Sequence, residues 1–341
     1  MKIKIKSILF IVISVYMLTI VIRSVNIHNT WQVEKQSNTL GLYSTNYPIK
    51  FLFYKDKNAL IKDSDGVYMI DRSKKTNLTK GKEVFYSPIA IGLAALRDLQ
   101  NANAYRSKDS IALKSFLVNA KWLVNKQDSS GRITFDVPLH TLDKIIKAPW
   151  QSALSQGFAL SVFSRAYQVT KDSIYIKSIH KSLLQFEKTI EEGGIYNNSK
   201  IFGEFLEEYP TEQPTHVLNG FNYTLIGLHD AYIITKNQKA GLLFDKYVKI
   251  LSEKIKEFDL GGWSAYSLDK PSMKNHFTYC NPWYHKLHII QLQVLFEKSQ
   301  LESLNEYAKV FEEDLSGFVP YILYSSYILY SDLVYIYNMF N

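Results

Sequence analysis

Two adjacent acids and a tyrosine, Glu207-Glu208-Tyr209, stand directly ahead of Pro210 and Thr211. Residues before proline are pushed toward extended backbone, so this group belongs to a loop and not to a helix. A solvated charge pair is the plain alternative to catalysis for such acids. Their place just ahead of an apolar helix raises the catalytic reading. Tyr266 and Tyr284 flank a later loop, 18 residues apart. A phenol can act as acid or base, or donate to a developing oxyanion, where its surroundings lower its pKa. With 24 tyrosines in the chain, packing is the competing use of any one of them. His285 and His288 are three apart on a helix, the spacing of a metal pair. Two ligands do not make a site, and no third stands at fixed spacing, so hydrogen bonds to substrate or core are the expected use. His216, at the opening of an apolar helix, is a weaker candidate for substrate contact.

Several other chemistries are missing. Cys280 is the only cysteine, which excludes an internal disulfide framework and a thiolate zinc site. There is no G-x-S-x-G elbow, no Walker glycine loop and no G-x-G-x-x-G after a strand. The net charge of +8 (40 basic against 32 acidic residues) suits an anionic partner. The basic residues are scattered and not striped, which disfavours nucleic acid. The 341 residues are ordinary in hydrophobic (46%) and charged (21%) content and rich in aromatics (14%), which points to a globular domain and not to disorder.

The elements that position these residues repeat. Three times a glycine turn is followed by aromatic or β-branched residues, a proline and an apolar helix. Gly131-Arg132-Ile133-Thr134-Phe135 leads to Pro149 and a helix from Trp150. Gly193-Gly194-Ile195-Tyr196 leads to Pro214 and a helix from Thr215. Gly261-Gly262-Trp263 leads to Pro282 and a helix from Trp283. The prolines are 65 and 68 residues apart, a period that fits two helices and a loop. Charged amphipathic helices over 110–127, 173–191 and 240–258 precede the glycines, which read as helix C-caps. The Pro-led helices carry few charges and are expected inside, with the charged set facing water. The fold class is therefore mainly α, helical hairpins over 85–341 stacked as a solenoid or closed into a toroid; closure would set the acidic and tyrosine loops at one mouth. A small β appendage over 49–84 and a polar stalk over 26–48 precede it.

Lys2, Lys4 and Lys6 stand before an uncharged stretch from Ser7 to Ile22, which Arg23 closes. Its 16 residues are just short of the ~17–25 of a membrane span, and Ile3 and Ile5 extend it. No small-x-small cleavage site follows. The expectation is an N-terminal transmembrane helix over 1–25, an uncleaved signal anchor with the N-terminus in the cytoplasm and the body outside.

Read together, these stretches resemble the C-terminal domain of the D-glucuronyl C5-epimerases, which convert glucuronate to iduronate in heparan-type chains. The matching residues are Ser155-Gln156-Gly157 with Arg165-Ala166-Tyr167, Glu208-Tyr209-Pro210-Thr211, and Val217-Leu218-Asn219-Gly220-Phe221. Ile226-Gly227-Leu228 with Asp230, Gly262-Trp263-Ser264 with Tyr266, and Tyr284-His285-x-x-His288-Ile289-x-Gln291-Leu292 follow. The resemblance covers roughly Phe85 to Tyr337 and implies an (α/α) toroid. It places catalysis on Glu208, Tyr209, Tyr266 and Tyr284. Substrate contacts are expected at Asn219, His285, His288, Gln156 and Trp150. The sequence departs from the pattern at Asp269, where the family has an arginine expected to hold an anionic sugar, and at Trp283 and Ile290.

The implied reaction removes and returns the C5 proton of a uronate by two bases, Glu208 on one face and Tyr284 on the other. Tyr266 and Tyr209 donate to the developing charge. It needs no redox cofactor and no metal. The expected partners are an anionic uronate-containing polysaccharide and the membrane, with no nucleic acid; a homodimer is open to it. Three other readings stay open: a uronate lyase, which begins with the same abstraction, a glycoside hydrolase, which needs two facing carboxylates, and an inactive polysaccharide-binding protein.

Overall fold

The computed structural model describes residues 60–71, 84–101, 111–140, 145–200, 202–269, 280 and 282–317, together with residues 7, 10, 11, 13–22, 25, 26, 31, 322 and 325. A three-stranded antiparallel sheet is formed by β1 (Leu60–Lys62), β2 (Tyr68–Asp71) and β3 (Val84–Phe85). Its first turn is held by Asp63, whose Oδ1 accepts from the backbone N–H of Asp65 and Val67. The sheet is fastened to the helices by Tyr68. Its backbone N–H donates to Asn119 at 3.0 Å, and its hydroxyl donates to the Asp98 carboxylate at 2.9 Å.

Among the described residues from 88 to 317, eight α-helices follow. They are α1 (Pro88–Asn101), α2 (Ile111–Lys126), α3 (Ala153–Thr170), α4 (Ser173–Leu183), α5 (Leu218–Thr235), α6 (Gln238–Lys254), α7 (Pro282–Ser299) and α8 (Glu302–Ser316). They alternate in character. In α3 every residue from Ala153 to Ala166 is buried, and in α5 every residue from Leu218 to Ala231. A helix apolar on all sides has no face to offer water and is driven inside. Helices α4, α6 and α8 are amphipathic and bury one stripe each. Packing runs α1–α3–α5–α7 along the inside, each inner helix backed by the outer helix that follows it. Helices α3 and α5 approach most closely at Gly157 and Gly227, where a Cβ on Gly227 would lie 2.2 Å from the carbonyl oxygen of Gly157.

The inner-to-outer links are tight. Lys171, Lys236 and Gln300 each take φ near 60°, and the N–H of each donates back to the carbonyl four residues earlier. Asp172 and Asn237 then cap the next helix by accepting from Ile174 and Ala240. The outer-to-inner links are long and gather at the other end. They hold three short hairpins: β4 (Thr134–Phe135) with β7 (Trp150–Gln151), β5 (Leu139–His140) with β6 (Ile145–Ile146), and β8 (Tyr196–Ser199) with β9 (Gly203–Leu206).

Several expectations change. The inner row has a fourth member, α1, also opened by a proline, Pro88. Trp150 lies in a strand, with the helix starting at Ala153, and the helix after Pro214 starts at Leu218. Gly131, Gly193 and Gly261 have positive φ but lie beyond the helix ends, so they serve turns and not C-caps. A ring needs α7 to pack back on α1. Among the described residues no extensive contact of that kind occurs, and the inner helices run as a row α1–α3–α5–α7. Most of the stalk segment lies outside the described residues, but Trp31 is buried and its indole donates to Glu312 on α8 at 3.2 Å. Of the segment 1–25, residues 13–22 are helical. Among the described residues no helix is long and apolar enough to cross a membrane.

One buried ion pair staples α3 to α5. Arg165 Nη1 lies 2.6 Å from Asp230 Oδ2, both side chains are fully buried, and Ser161 donates to the same oxygen at 2.7 Å. Burial pushes the Asp230 carboxyl up, but the Arg165 charge and hydrogen bonds outweigh it and hold the pKa below the usual range. Asp230→Ala strands a buried guanidinium and is expected to cost about 3–5 kcal/mol. Urea unfolding monitored by circular dichroism checks this; an unchanged midpoint would contradict it.

Candidate active site

The acidic loop is pinned between two inner helices. The Ala153 N–H, at the start of α3, donates to the Glu207 carbonyl at 2.9 Å. The extended backbone here sends successive side chains opposite ways. Glu207 turns into its own loop, where Oε2 accepts from the N–H of Thr215 (3.3 Å) and His216 (3.0 Å) and from the Thr215 hydroxyl (3.1 Å). Its Oε1 is 2.6 Å from His216 Nδ1, and His216 Nε2 is 2.8 Å from Ser199 Oγ. This chain holds His216 at φ 50° just ahead of α5. Glu207 is thus a brace, as is His216, which precedes the helix and does not open it.

Glu208 turns the other way, into the first turn of α5. A Cβ built on Gly220 would lie 2.3 Å from Glu208 Oε2, so only glycine leaves room for the carboxyl. The third loop is laced to the same segment: Leu218 N–H donates to the Tyr266 carbonyl (3.1 Å) and Leu268 N–H to the Thr215 carbonyl (3.0 Å). That lacing sets the Tyr266 hydroxyl 3.4 Å from the Tyr209 hydroxyl. The Tyr266 ring meets the Tyr284 ring edge to face at 5.0 Å, and Trp150 stands 6.5 Å from Tyr209. The three tyrosines are half-buried, and Glu208 lies buried beneath them. The four residues expected to act together are together.

Burial pushes the Glu208 carboxyl up to about 7; a hydrogen bond from Tyr209 works against this and the Glu207 charge adds to it. Burial also pushes the phenols of Tyr209 and Tyr266 well above their ordinary value, and that of Tyr284 above it, each raised further by Glu208. The condition under which a phenol would serve as a base, a lowered pKa, is not met here. At neutral pH the site holds one carboxyl near its midpoint and three neutral phenols able to donate.

Asn219 is buried in the first turn of α5, and its Oδ1 has no hydrogen-bond partner among the described residues, an unmet acceptor beside Glu208. Trp150 stacks on Phe135 at 4.1 Å and donates to the Val137 carbonyl at 2.9 Å, so its ring is fixed at the edge of the site.

The other expected substrate contacts are used inside the protein. Gln156 donates to the Gly131 carbonyl (3.2 Å) and to Gln151 (3.0 Å), tying α3 to a turn. His285 and His288 are fully buried, and the Nδ1 of each lies 2.8 Å from Ser264 Oγ. Ser264 N–H also donates to His285 Nδ1 (3.1 Å), so the ring proton is on Nε2, which donates to the Phe311 carbonyl (2.8 Å). Burial drives the His285 pKa down to about 3 and that of His288 well below its ordinary value, so both rings are neutral. They lock the loop of Tyr266 to the helix of Tyr284. Among the described residues no group of three or more His, Cys, Asp or Glu could hold a metal ion. Asp269, beside Tyr266, accepts from the Ser267 hydroxyl.

A row of buried helices with an acid and three phenols where they begin describes a class of site. The family follows from sequence comparison. Residues 127–313, over half of the chain, match the family model described as the D-glucuronyl C5-epimerase C-terminus, and the chain belongs to that family. It is 31% identical over 194 residues to a D-glucuronyl C5-epimerase of Caenorhabditis elegans, covering 52% of this chain and 31% of that protein. It is 30% identical over 187 residues to the uncharacterized protein MJ1128 of Methanocaldococcus jannaschii, covering 53% and 56%. The chain thus spans about a third and just over half of these relatives. Among solved structures, an unsaturated glucuronyl hydrolase specific for heparin aligns at a TM-score of 0.45 and 13% identity, over 79% of this chain and 66% of that one. The family is one of carbohydrate epimerases.

Proposed function

We propose that the protein is a C5-epimerase that converts D-glucuronate to L-iduronate residues within an anionic polysaccharide. The observation that supports it best is the pairing of a buried carboxyl with a pKa near 7 and three neutral phenols above it. The C5 hydrogen is α to a carboxylate. The Glu208 carboxylate takes it as a proton, and the electron pair moves onto the sugar carboxylate as an enediolate. Tyr209 and Tyr266 donate to that charge, and the Asn219 amide is within the same first turn of α5. Tyr284 then delivers its phenolic proton to the opposite face of C5, which inverts the centre. Donors aimed at a developing oxyanion contribute typically about 10²–10³ in rate each. The resting protonation states set the order: Glu208 removes and Tyr284 returns.

A hydrolase needs a second carboxylate facing the bond. Glu207, the nearest, is spent on Thr215 and His216, which counts against that reading. The site is tested by incubating the full chain with glucuronate-containing polymers in heavy water. Deuterium at C5 with iduronate formed supports the proposal. An unsaturated uronate, seen by ultraviolet absorbance, would make it a lyase, and binding with neither product would make it a polysaccharide-binding protein.

Gly220→Ala supplies a control of geometry that leaves the chemistry of every reacting group unchanged. Its methyl would press on the Glu208 carboxyl, and a displacement of about 1 Å is expected to lower kcat about 10²-fold, read in the same exchange assay. Turnover within twofold of the unaltered protein would contradict the placement of Glu208.

The signal anchor over 1–25 and a catalytic body outside the cytoplasm belong to the same proposal. The three lysines ahead of an uncharged stretch support it. Retention in the membrane fraction after alkaline carbonate, with the body open to protease only from the outer side, is the expected result.

A further inference from the structure

Beside the reacting cluster lies a cleft of about 800 Å³ that the four reacting residues do not line. That volume falls within the range of small-molecule sites, about 300–1,000 Å³. Trp150 and Pro210-Thr211 line it, so it opens directly from Tyr209. Arg132, Lys147, the Ile145–Ile146 strand, Gly193, Gln213 and one acid, Glu212, line the part that matters here.

Arg132 is held in place. Its Nε donates to Asp128 Oδ2 at 2.8 Å, while Asp128 Oδ1 accepts from the N–H of Ser130 and of Arg132 and from the Ser130 hydroxyl. The guanidinium lies along Gly193: a Cβ there would be 3.5 Å from Arg132 Nη1. A planar cation fixed by one carboxylate, with its far edge at a cleft, suits a second oxyanion bound through two parallel N–H bonds. The exposed Ile145 side chain, with the edge of Trp150 that its packing on Phe135 leaves at the cleft, suits the C–H face of a sugar ring, and Lys147 adds a second positive charge. A polymer whose reacting residue sits at Glu208 must continue outward, and this cleft is contiguous with that position.

We propose that this cleft is a subsite for a flanking sugar of the polymer, in which Arg132, oriented by Asp128, binds an acidic group of that sugar while Ile145 and the edge of Trp150 meet its apolar face. The inference rests on the epimerase reading for the identity of the polymer. It assigns Arg132 and Lys147 a role in selecting acidic chains, at a distance from the position where Asp269 stands. The acidic group is a carboxylate or a sulfate, which share this chemistry.

The test measures binding and chemistry in one set of samples. Calorimetry at low salt uses a decasaccharide of alternating glucuronate and N-acetylglucosamine, its N-sulfated counterpart and a neutral dextran oligomer. The full chain is compared with Arg132→Gln and with Lys147→Glu, a change on an exposed side chain that leaves the fold alone. Loss of a charge-assisted bond is expected to weaken binding of at least one acidic decasaccharide about tenfold or more in Arg132→Gln. A smaller loss in the same direction is expected in Lys147→Glu. A larger effect on the sulfated chain names sulfate, and a larger effect on the unsulfated one names carboxylate. Unchanged affinity in both variants, or equal binding of dextran, would overturn the proposal. C5 exchange read on the same mixtures keeps the two ideas apart. Arg132-dependent binding without exchange sustains the cleft and ends the epimerase reading. Exchange with Arg132-independent binding does the reverse.

Discussion

Glu208→Gln is expected to lower C5 proton exchange by about 10²–10⁴-fold, the usual worth of a positioned general base. The substitution keeps the volume, and so the fit under Gly220, and removes only the ability to take a proton. The buried carboxyl titrates near 7 and must be ionised to act. In the unaltered protein kcat/KM should therefore fall tenfold per pH unit below about 7 and level off above it; Glu208→Gln should lose that limb along with the rate. Stability should move the other way. The folded pKa of Glu208 lies above its ordinary 4.5, so its contribution is fully present below about 4.5 and is lost as pH rises through about 7. At pH 8 Glu208→Gln should melt no lower than the unaltered protein. A variant that lost activity only by losing its fold would melt lower, which thermal melting decides.

Tyr284→Phe is the second large effect. The phenol is neutral at rest, since burial and the Glu208 charge raise its pKa. Its proposed task is delivery of a proton and not removal of one. Without the hydroxyl, epimerisation should fall by about 10²–10⁴-fold, while Glu208 still removes and returns the proton on its own face. Glucuronate with deuterium at C5 should then accumulate without iduronate. The ring stays to pack against Tyr266 at 5.0 Å, so Tm should change little. Iduronate formed at the unaltered rate would remove Tyr284 from the mechanism.

Much of this was legible in the residues. The glycine turn, the proline and the uncharged helix mark the inner helices because burial on all sides excludes charge, and α3, α5 and α7 follow. Helix α1 carries Pro88 and the same apolar texture, but strand β3 and not a glycine turn precedes it, so the repeat does not reveal it. The grouping of Glu208 with Tyr209, Tyr266 and Tyr284 is what the family resemblance implies, and the three phenols lie near one another in the fold. What remained hidden depends on direction. Adjacent acids on an extended chain must point opposite ways, but only the fold shows that Glu207 meets Thr215 and His216 while Glu208 meets Gly220. A helical His pair looks the same facing a cavity or a core. The partner that decides it, Ser264, lies 21 and 24 residues earlier. The phenol pKa values turn on burial, which no spacing encodes.

Deuterium exchange on both variants, followed separately from polymers rich in glucuronate and rich in iduronate, tests the two-faced arrangement most directly. The account predicts an asymmetry: Tyr284→Phe exchanges C5 of glucuronate without inverting it, and Glu208→Gln exchanges neither epimer. Epimerisation surviving at full rate in either variant, or glucuronate exchange persisting in Glu208→Gln, would contradict it.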